Sequence, residues 1–375
     1  MKVMIVVTHL LGTGHLARAL TLARAFDAAD DEATVVSGGL PVSHFDSDGV
    51  TLIQLPAIRS DGVEFTTLLD PHGEVADAPY MAARCRALVA ALTRIRPDVL
   101  ITELFPFGRR ILRDEFRALL EAALAMTAPP VILSSIRDIL APPSKPAKAQ
   151  FADDMITRFY DGALVHSDPA LIPLDRSWPV SEMLEKRLHY TGFVAPVPPA
   201  PSTPNNQILV SAGGGGVGDR IFEAARDAAH QTPDLQWRCL IGGSPDRIPP
   251  LAERAPANMI CEATRADFRT LLSGAAASVS MCGYNTAMDV LQTGVPAVFV
   301  PFDDGGEVEQ GLRAEALSTL PGVGVVTQDA LDGAALLHGL DQVRSAPRRA
   351  ARSDHMDGAA HSVRIVREIC HKRAR

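Results

Sequence analysis

The sequence predicts an α/β protein of two doubly wound domains. Three observations carry the prediction. Short apolar runs alternate with helical patterns along the whole chain. The alternation breaks once, at a proline-dense stretch, and then restarts. Glycine-rich turns follow several of the apolar runs, as in open parallel sheets that bind ligands beyond the carboxyl ends of their strands. A length of 375 residues exceeds the usual single domain, and 47% hydrophobic against 21% charged residues is enough to bury two cores.

Val3 to Val7 reads as the first buried strand, and His15 to Phe26 has helical spacing. Ala33 to Val36, Asp98 to Thr102, Pro130 to Ser134 and Gly162 to His166 continue the strand series. Phe193 to Asn206, FVAPVPPAPSTPNN, holds five prolines, a density that neither a helix nor a central strand tolerates. Residues 196–206 therefore read as an extended linker. Beyond it come Gln207 to Ser211, Leu235 to Ile241, Asn258 to Cys261, Ala276 to Ser280 and Pro296 to Val300. The expected domains are 1–195 and 207–352, facing each other across a central cleft, with a basic helix over 355–373 returning to the first. No repeat with a period of roughly 20–50 residues recurs, which excludes a solenoid.

A net charge of −8, from 36 basic and 44 acidic residues, argues against a nucleic-acid partner. The five cysteines, Cys85, Cys239, Cys261, Cys282 and Cys370, show no paired spacing and fit reduced thiols in a cytoplasmic protein. The opening MKVMIVVTHLLGTGH is too short an apolar run for a signal peptide or a membrane span. No long apolar amphipathic stretch indicates membrane association.

Three glycine signals stand out. The first is Gly12, Thr13, Gly14 and His15, where strand one turns into helix one; glycine there permits close backbone approach, and a helix start offers free N–H groups. It lacks the third glycine of a dinucleotide fingerprint and the Gly-Lys-Ser/Thr of a P-loop. The second is SAGGGGVGDR, Ser211 to Arg220, in which Gly213, Gly214 and Gly215 would bare amides for a phosphate or a sugar. The third is MCGYNTAMDVLQTGVP. Gly283, Tyr284, Asn285 and Thr286 open a helix, Asn285 or Thr286 lies near its cap, and Asp289 lies one turn in. An acid there would accept from ribose hydroxyls; its plainer reading is a solvated side chain favoured by the helix dipole.

Together these segments resemble the GT-B glycosyltransferases and, more narrowly, the MurG-like transferases that move a sugar from a UDP-sugar. The resemblance rests on ITELFPFGRR, SSIRDIL, SAGGGGVG, ASVSMCGYNTAMDVL and GGEVEQGLRAEAL and spans nearly the whole chain. It implies a GT-B fold with the donor in the second domain and an acceptor, a small molecule, glycan or natural product, in the first. Asp289 matches a glutamate that holds the ribose hydroxyls, one carbon shorter here. Asn285 and Thr286 match a turn that contacts the diphosphate. Thr264 matches a backbone contact to uracil. Glu309 and Gln310 match a Gln-Gln pair on the transferred sugar; the acidic first partner and the preceding Gly305, Gly306 and Glu307 leave that sugar open. His15 matches the histidine of the first glycine loop.

The implied chemistry is inverting transfer with no cofactor and no metal: a base deprotonates the acceptor hydroxyl, which attacks the anomeric carbon as the diphosphate leaves. The only nearby acid pair, Asp303-Asp304, has adjacent residues and not an Asp-x-Asp spacing. Three residues compete as the base. His15 has an ordinary pKa near 6.5. Glu103 would serve if burial lifted its pKa, or would simply pair with Arg109 or Arg110. Asp138, after SSIR, is the third. Arg109, Arg110 and Arg137 would meet an anionic acceptor or form surface ion pairs. Ser60 to Asp77 and Pro142 to Asp154 read as irregular segments around the acceptor. Three other readings remain: a nucleotide-sugar hydrolase releasing UDP, a UDP-sugar epimerase, and a binding module that has lost its chemistry.

Overall fold

The computed structural model describes residues 1–10, 13–42, 49–61, 67–303 and 307–373. The chain divides into two compact units, Met1–Val194 with Asp357–Arg375, and Ala195–Met356.

In the first unit the strands are β1 (Lys2–Val7), β2 (Glu32–Ser37), β3 (Thr51–Gln54), β4 (Arg59–Ser60), β5 (Leu68–Leu69), β6 (Val99–Glu103), β7 (Val131–Arg137), β8 (Gly162–His166) and β9 (Leu188–Tyr190). Seven of them form one sheet in the order β3-β2-β1-β6-β7-β8-β9, and every pairing in it is parallel. Sequence order reverses between β1 and β6. Helices α1 (Gly14–Asp27), α2 (Ala78–Ile95), α3 (Arg113–Leu124), α4 (Pro146–Phe159) and the short α5 (Glu182–Glu185) cover its faces. The alternation within β1 divides the core. Met4 and Val6 join a cluster with Leu88, Phe116 and Ile156, while Val3, Ile5 and Val7 join one with Leu16, Leu20 and Phe26. Both faces are buried, so the strand reads as a continuous apolar run.

The second unit has β10 (Gln207–Ser211), β11 (Gln236–Ile241), β12 (Met259–Ala263), β13 (Ala277–Ser280), β14 (Ala297–Phe299) and β15 (Val323–Val325), in the order β12-β11-β10-β13-β14-β15 and again all parallel. Its reversal falls between β10 and β13. The helices are α6 (Asp219–Gln231), α7 (Ile248–Ala252), α8 (Phe268–Gly274), α9 (Tyr284–Thr293), α10 (Glu309–Leu317) and α11 (Gly333–Ser345). Gly294 ends α9 at φ 64°, a left-handed stop, and a Cβ there would lie 2.5 Å from the Arg349 carbonyl. The last helix, α12 (Gly358–Arg373), belongs to the first unit, where Val363 and Val366 complete the cluster against α1.

One expectation fails here. Residues from Pro142 to Asp154 are not irregular throughout, since α4 begins at Pro146, where the ring's fixed φ suits a first helical turn. Of Ser60 to Asp77, β4 and β5 form a two-stranded antiparallel ribbon, and 62–66 lie outside the described residues. All five cysteines are free thiols. Among the described residues no helix is long and apolar enough to cross a membrane.

Candidate active site

Each unit brings several of its singled-out residues to its own point of strand-order reversal, the place where open α/β sheets bind ligands. In the first unit, α1 follows β1 and carries His15, while Glu103 is the last residue of the adjacent β6. His15 Nδ1 lies 2.9 Å from Glu103 Oε1. Arg18, one helical turn beyond His15, forms an ion pair with the same oxygen, and its Nη2 is 3.0 Å from Nδ1. Ser135 stands opposite Glu103 in the β6–β7 register, and its Oγ is 2.6 Å from Oε2. Ser135 Oγ is also 2.9 Å from His166 Nε2, whose Nδ1 is 2.8 Å from Thr191 Oγ1. Glu103, Ser135, His166 and Thr191 are all buried.

Charge assigns the protons in this chain. Burial alone would push the Glu103 pKa up, but the Arg18 guanidinium and the His15 hydrogen bond outweigh it and hold the carboxyl well below its usual range. An ionised carboxylate only accepts, so His15 donates from Nδ1 and Ser135 donates its hydroxyl proton. The Ser135 oxygen then accepts from His166 Nε2–H. Burial pushes His15 down to about 4, with the Arg18 and Arg109 charges adding to the shift, while Glu103 opposes it. Burial likewise pushes His166 down to about 3. Both rings are therefore neutral at pH 7. His15 keeps its Nε2 lone pair, which has no partner among the described residues, and its side chain is 16% exposed. This arrangement can take a proton from a hydroxyl at Nε2 and stabilise the resulting imidazolium through Glu103.

Two expectations about Glu103 are corrected. Its pKa is lowered, not lifted, because a cation accompanies it into the core, and that cation is Arg18, neither Arg109 nor Arg110. Arg110 donates to the Phe107 carbonyl at 2.6 Å. Arg109 sits at φ 58° and donates from Nε to the Thr8 carbonyl at 2.6 Å. Arg137 Nε donates to the Ile139 carbonyl at 3.1 Å. Asp138 has no exposed surface, so no acceptor hydroxyl reaches it in this conformation. Thr13 precedes α1 without a side-chain capping bond, Gly14 is an exposed helix start, and Gly12 lies outside the described residues.

The second unit builds from backbone instead. After β10, Gly214, Gly215 and Gly216 are exposed, and their amides make no hydrogen bond among the described residues. Gly213 N donates to Ser211 Oγ at 3.2 Å, and the Gly214 carbonyl accepts from Gly243 N at 3.2 Å. Gly242 packs so closely under this loop that a Cβ would lie 2.3 Å from the Gly213 carbonyl. Arg247 braces the loop by donating to the carbonyls of Gly242 and Val217 and pairing with Asp219.

After β13, Gly283 is the cap of α9, with Asn285 and Thr286 in the first turn beside it, and no side chain caps the helix. The first internal bond is Ala287 N to Gly283 O at 2.9 Å, so the amides of Asn285 and Thr286 have no acceptor inside the helix. Asp289 is not solvated: it is 7% exposed, and its Oδ1 accepts from Arg269 Nε at 2.6 Å. Burial pushes its pKa up against the opposing pull of Arg269. Its Oδ2 has no partner among the described residues. Arg269 also binds Gln292 and the Val197 carbonyl, so the carboxylate is fixed in orientation.

The remaining residues line the neighbouring loops. Thr264, exposed after β12, donates its amide to the Ile241 carbonyl at 3.3 Å. Glu307 Oε1 accepts from the amides of Glu309, at 2.5 Å, and Gln310, at 3.2 Å, and so caps α10. Gln310 Oε1 accepts from Phe302 N at 3.2 Å. Gly305 and Gly306 lie outside the described residues. Buried Arg313 donates to the Cys282 carbonyl at 2.9 Å beneath the glycine turn. Among the described residues no group of three or more metal-ligating side chains converges.

Arg18, Ser135, His166, Arg247, Arg269 and Arg313 escaped the sequence reading. Arg18 alone had a local signal, three residues after His15 on the same helical face. The others act across strand or helix contacts that no spacing encodes.

Residues 254–368 match the glycosyltransferase family 28 C-terminal domain. No curated protein sequence matches the chain. Solved structures do. The calicheamicin glycosyltransferase CalG4 superposes with a TM-score of 0.61 at 18% identity, covering 100% of this chain and 98% of that one. MurG of Acinetobacter baumannii gives 0.62 at 14%, covering 98% and 100%. The glycosyltransferase VinC, in complex with dTDP, gives 0.65 at 16%, covering 99% and 100%. The fold is therefore GT-B. The family 28 match and the GT-B fold together make the chain an enzyme of the glycosyltransferase class.

Proposed function

We propose that this chain transfers a sugar from a UDP-sugar to an acceptor hydroxyl with inversion at the anomeric carbon. The amides of Gly214, Gly215 and Gly216 and the first turn of α9 hold the diphosphate. Asp289 Oδ2, oriented by Arg269, accepts from the ribose hydroxyls. His15 Nε2 takes the acceptor proton; the acceptor oxygen bonds to the anomeric carbon as the bond to the diphosphate oxygen breaks, and UDP departs. Charge growing on the leaving group is met by these amides and the α9 dipole, an assignment that expects the rate to survive EDTA.

The observation that carries the reading is the His15–Glu103 hydrogen bond of 2.9 Å, which fixes the Nδ1–H tautomer and leaves Nε2 open beside a cation-held carboxylate. The dTDP complex of VinC and the match to the family 28 C-terminal domain support a nucleotide-sugar donor. The test is His15→Gln. Transfer should fall by about 10²–10⁴ while UDP affinity, measured by calorimetry, stays unchanged. Full turnover in this variant sinks the assignment. UDP release at the full rate without acceptor would identify a hydrolase using the same base.

A further inference from the structure

Arg109 is placed with unusual care for a residue with so few contacts. It follows Gly108 in the loop after β6 and holds φ 58°, a left-handed conformation that a long side chain rarely adopts. Leu104, five residues earlier in the same loop, is left-handed too, at φ 69°. Non-glycine residues held this way cluster where surrounding structure fixes a functional group. Arg109 is half-buried as a residue, and its guanidinium is anchored by one bond, Nε to the Thr8 carbonyl at 2.6 Å. Its Nη1 and Nη2 have no partner among the described residues.

The surrounding charge does not balance. Arg18 and Glu103 neutralise each other in their ion pair. His15, His9 and His166 are neutral at pH 7, each held down chiefly by burial. Arg109 lies close enough to His15, His9 and Glu103 for charge to act between them, so one cation with an open fork stands near the candidate base. Arginine's planar fork matches the two oxygens of a carboxylate or phosphate.

We propose that Arg109 binds an oxyanion on the acceptor, so that the acceptor substrate carries an ionised carboxylate or phosphate beside the hydroxyl that His15 deprotonates. This rests on the base assignment above for its placement, but the anion site can be tested without any transfer. A purely structural Arg109 would need only its Nε bond to Thr8; the open fork is what that role leaves unused.

The test is titration of the full chain at pH 7 with inorganic phosphate, followed by phosphorus NMR, and with labelled acetate, followed by carbon NMR, each with and without excess UDP. Saturable binding of at least one anion that persists under excess UDP is expected. Arg109→Ala should weaken it by roughly 10-fold or more, and Arg109→Lys, which keeps the charge but loses the fork, by less. Tighter phosphate identifies a phosphorylated acceptor, tighter acetate a carboxylated one. Absence of binding by the unaltered chain, loss of all binding to excess UDP, or equal binding by the alanine variant overturns the proposal. Should the alanine variant not fold, the lysine variant and the unaltered chain still decide it. Failure of the transferase reading shows separately, as absent UDP binding or as turnover retained in His15→Gln.

Discussion

The two units use one topological position for opposite kinds of site. At the β1–β6 reversal the first unit assembles titratable side chains: His15, Glu103, Arg18, Ser135 and His166, linked by hydrogen bonds in a buried row. At the β10–β13 reversal the second unit strips side chains away and presents Gly214, Gly215 and Gly216 and the uncapped start of α9. A proton-transfer group needs neighbours that set its pKa, so it is built from residues whose burial and charge can be tuned. The diphosphate proposed for the second unit needs many donors that never titrate, and backbone amides are such donors. The same sheet edge serves both, and the residues that follow each strand decide which.

That contrast makes the first unit fragile to single charge changes and the second fragile to added volume. The largest effect should come from Glu103→Gln. It leaves Arg18 as an uncompensated buried cation, costing about 3–5 kcal/mol in denaturant unfolding. Unchanged stability would show that the ion pair is solvated in practice. Next, Asp289→Asn should weaken UDP binding by about 10- to 100-fold in calorimetry, through loss of a charged acceptor. Unchanged affinity would reduce Asp289 to a mere partner of Arg269. Gly242→Ala comes third. Its Cβ, 2.3 Å from the Gly213 carbonyl, must displace the glycine loop, and about tenfold weaker UDP binding with an unaltered His15 titration is expected. A shifted His15 titration would mean that the two sites are not independent.

The smallest expected effect is the most diagnostic of proton order. Ser135→Ala removes one donor from Glu103, leaves its charge less offset and should raise the His15 pKa from about 4 toward 6.5. The acid limb of the pH–rate profile then moves up; a downward move refutes the assigned direction of the chain. In the unaltered protein that limb should lie near 4. Stability should meanwhile fall as pH drops below 6.5, because unfolded histidines take up protons that His15 and His166, with folded values of about 4 and 3, refuse.

Much of the fold could be read from the sequence because parallel strands buried on both faces leave plain apolar runs. Val99 to Thr102 could hardly be anything else. The glycine loops were equally visible, since missing side chains are a local property. What stayed hidden was register. Ser135 faces Glu103 only because β7 pairs with β6 at that offset, and a shift of one residue would have turned it to the other face. Asp289 misled for a related reason. Its helical position suggested solvent, but Ala287, Met288, Val290 and Leu291 bury α9 nearly all round, and the compensating Arg269 comes from α8.

Helix α12 has a consequence for how the molecule comes into being. The second unit is a single uninterrupted stretch, Ala195–Met356, and can finish folding while synthesis continues. The first unit cannot. Its helix α1 is held in part by Val363 and Val366, which are made only after the whole of the second unit. The second unit is thus ready first, and the first is locked only once α12 has been made.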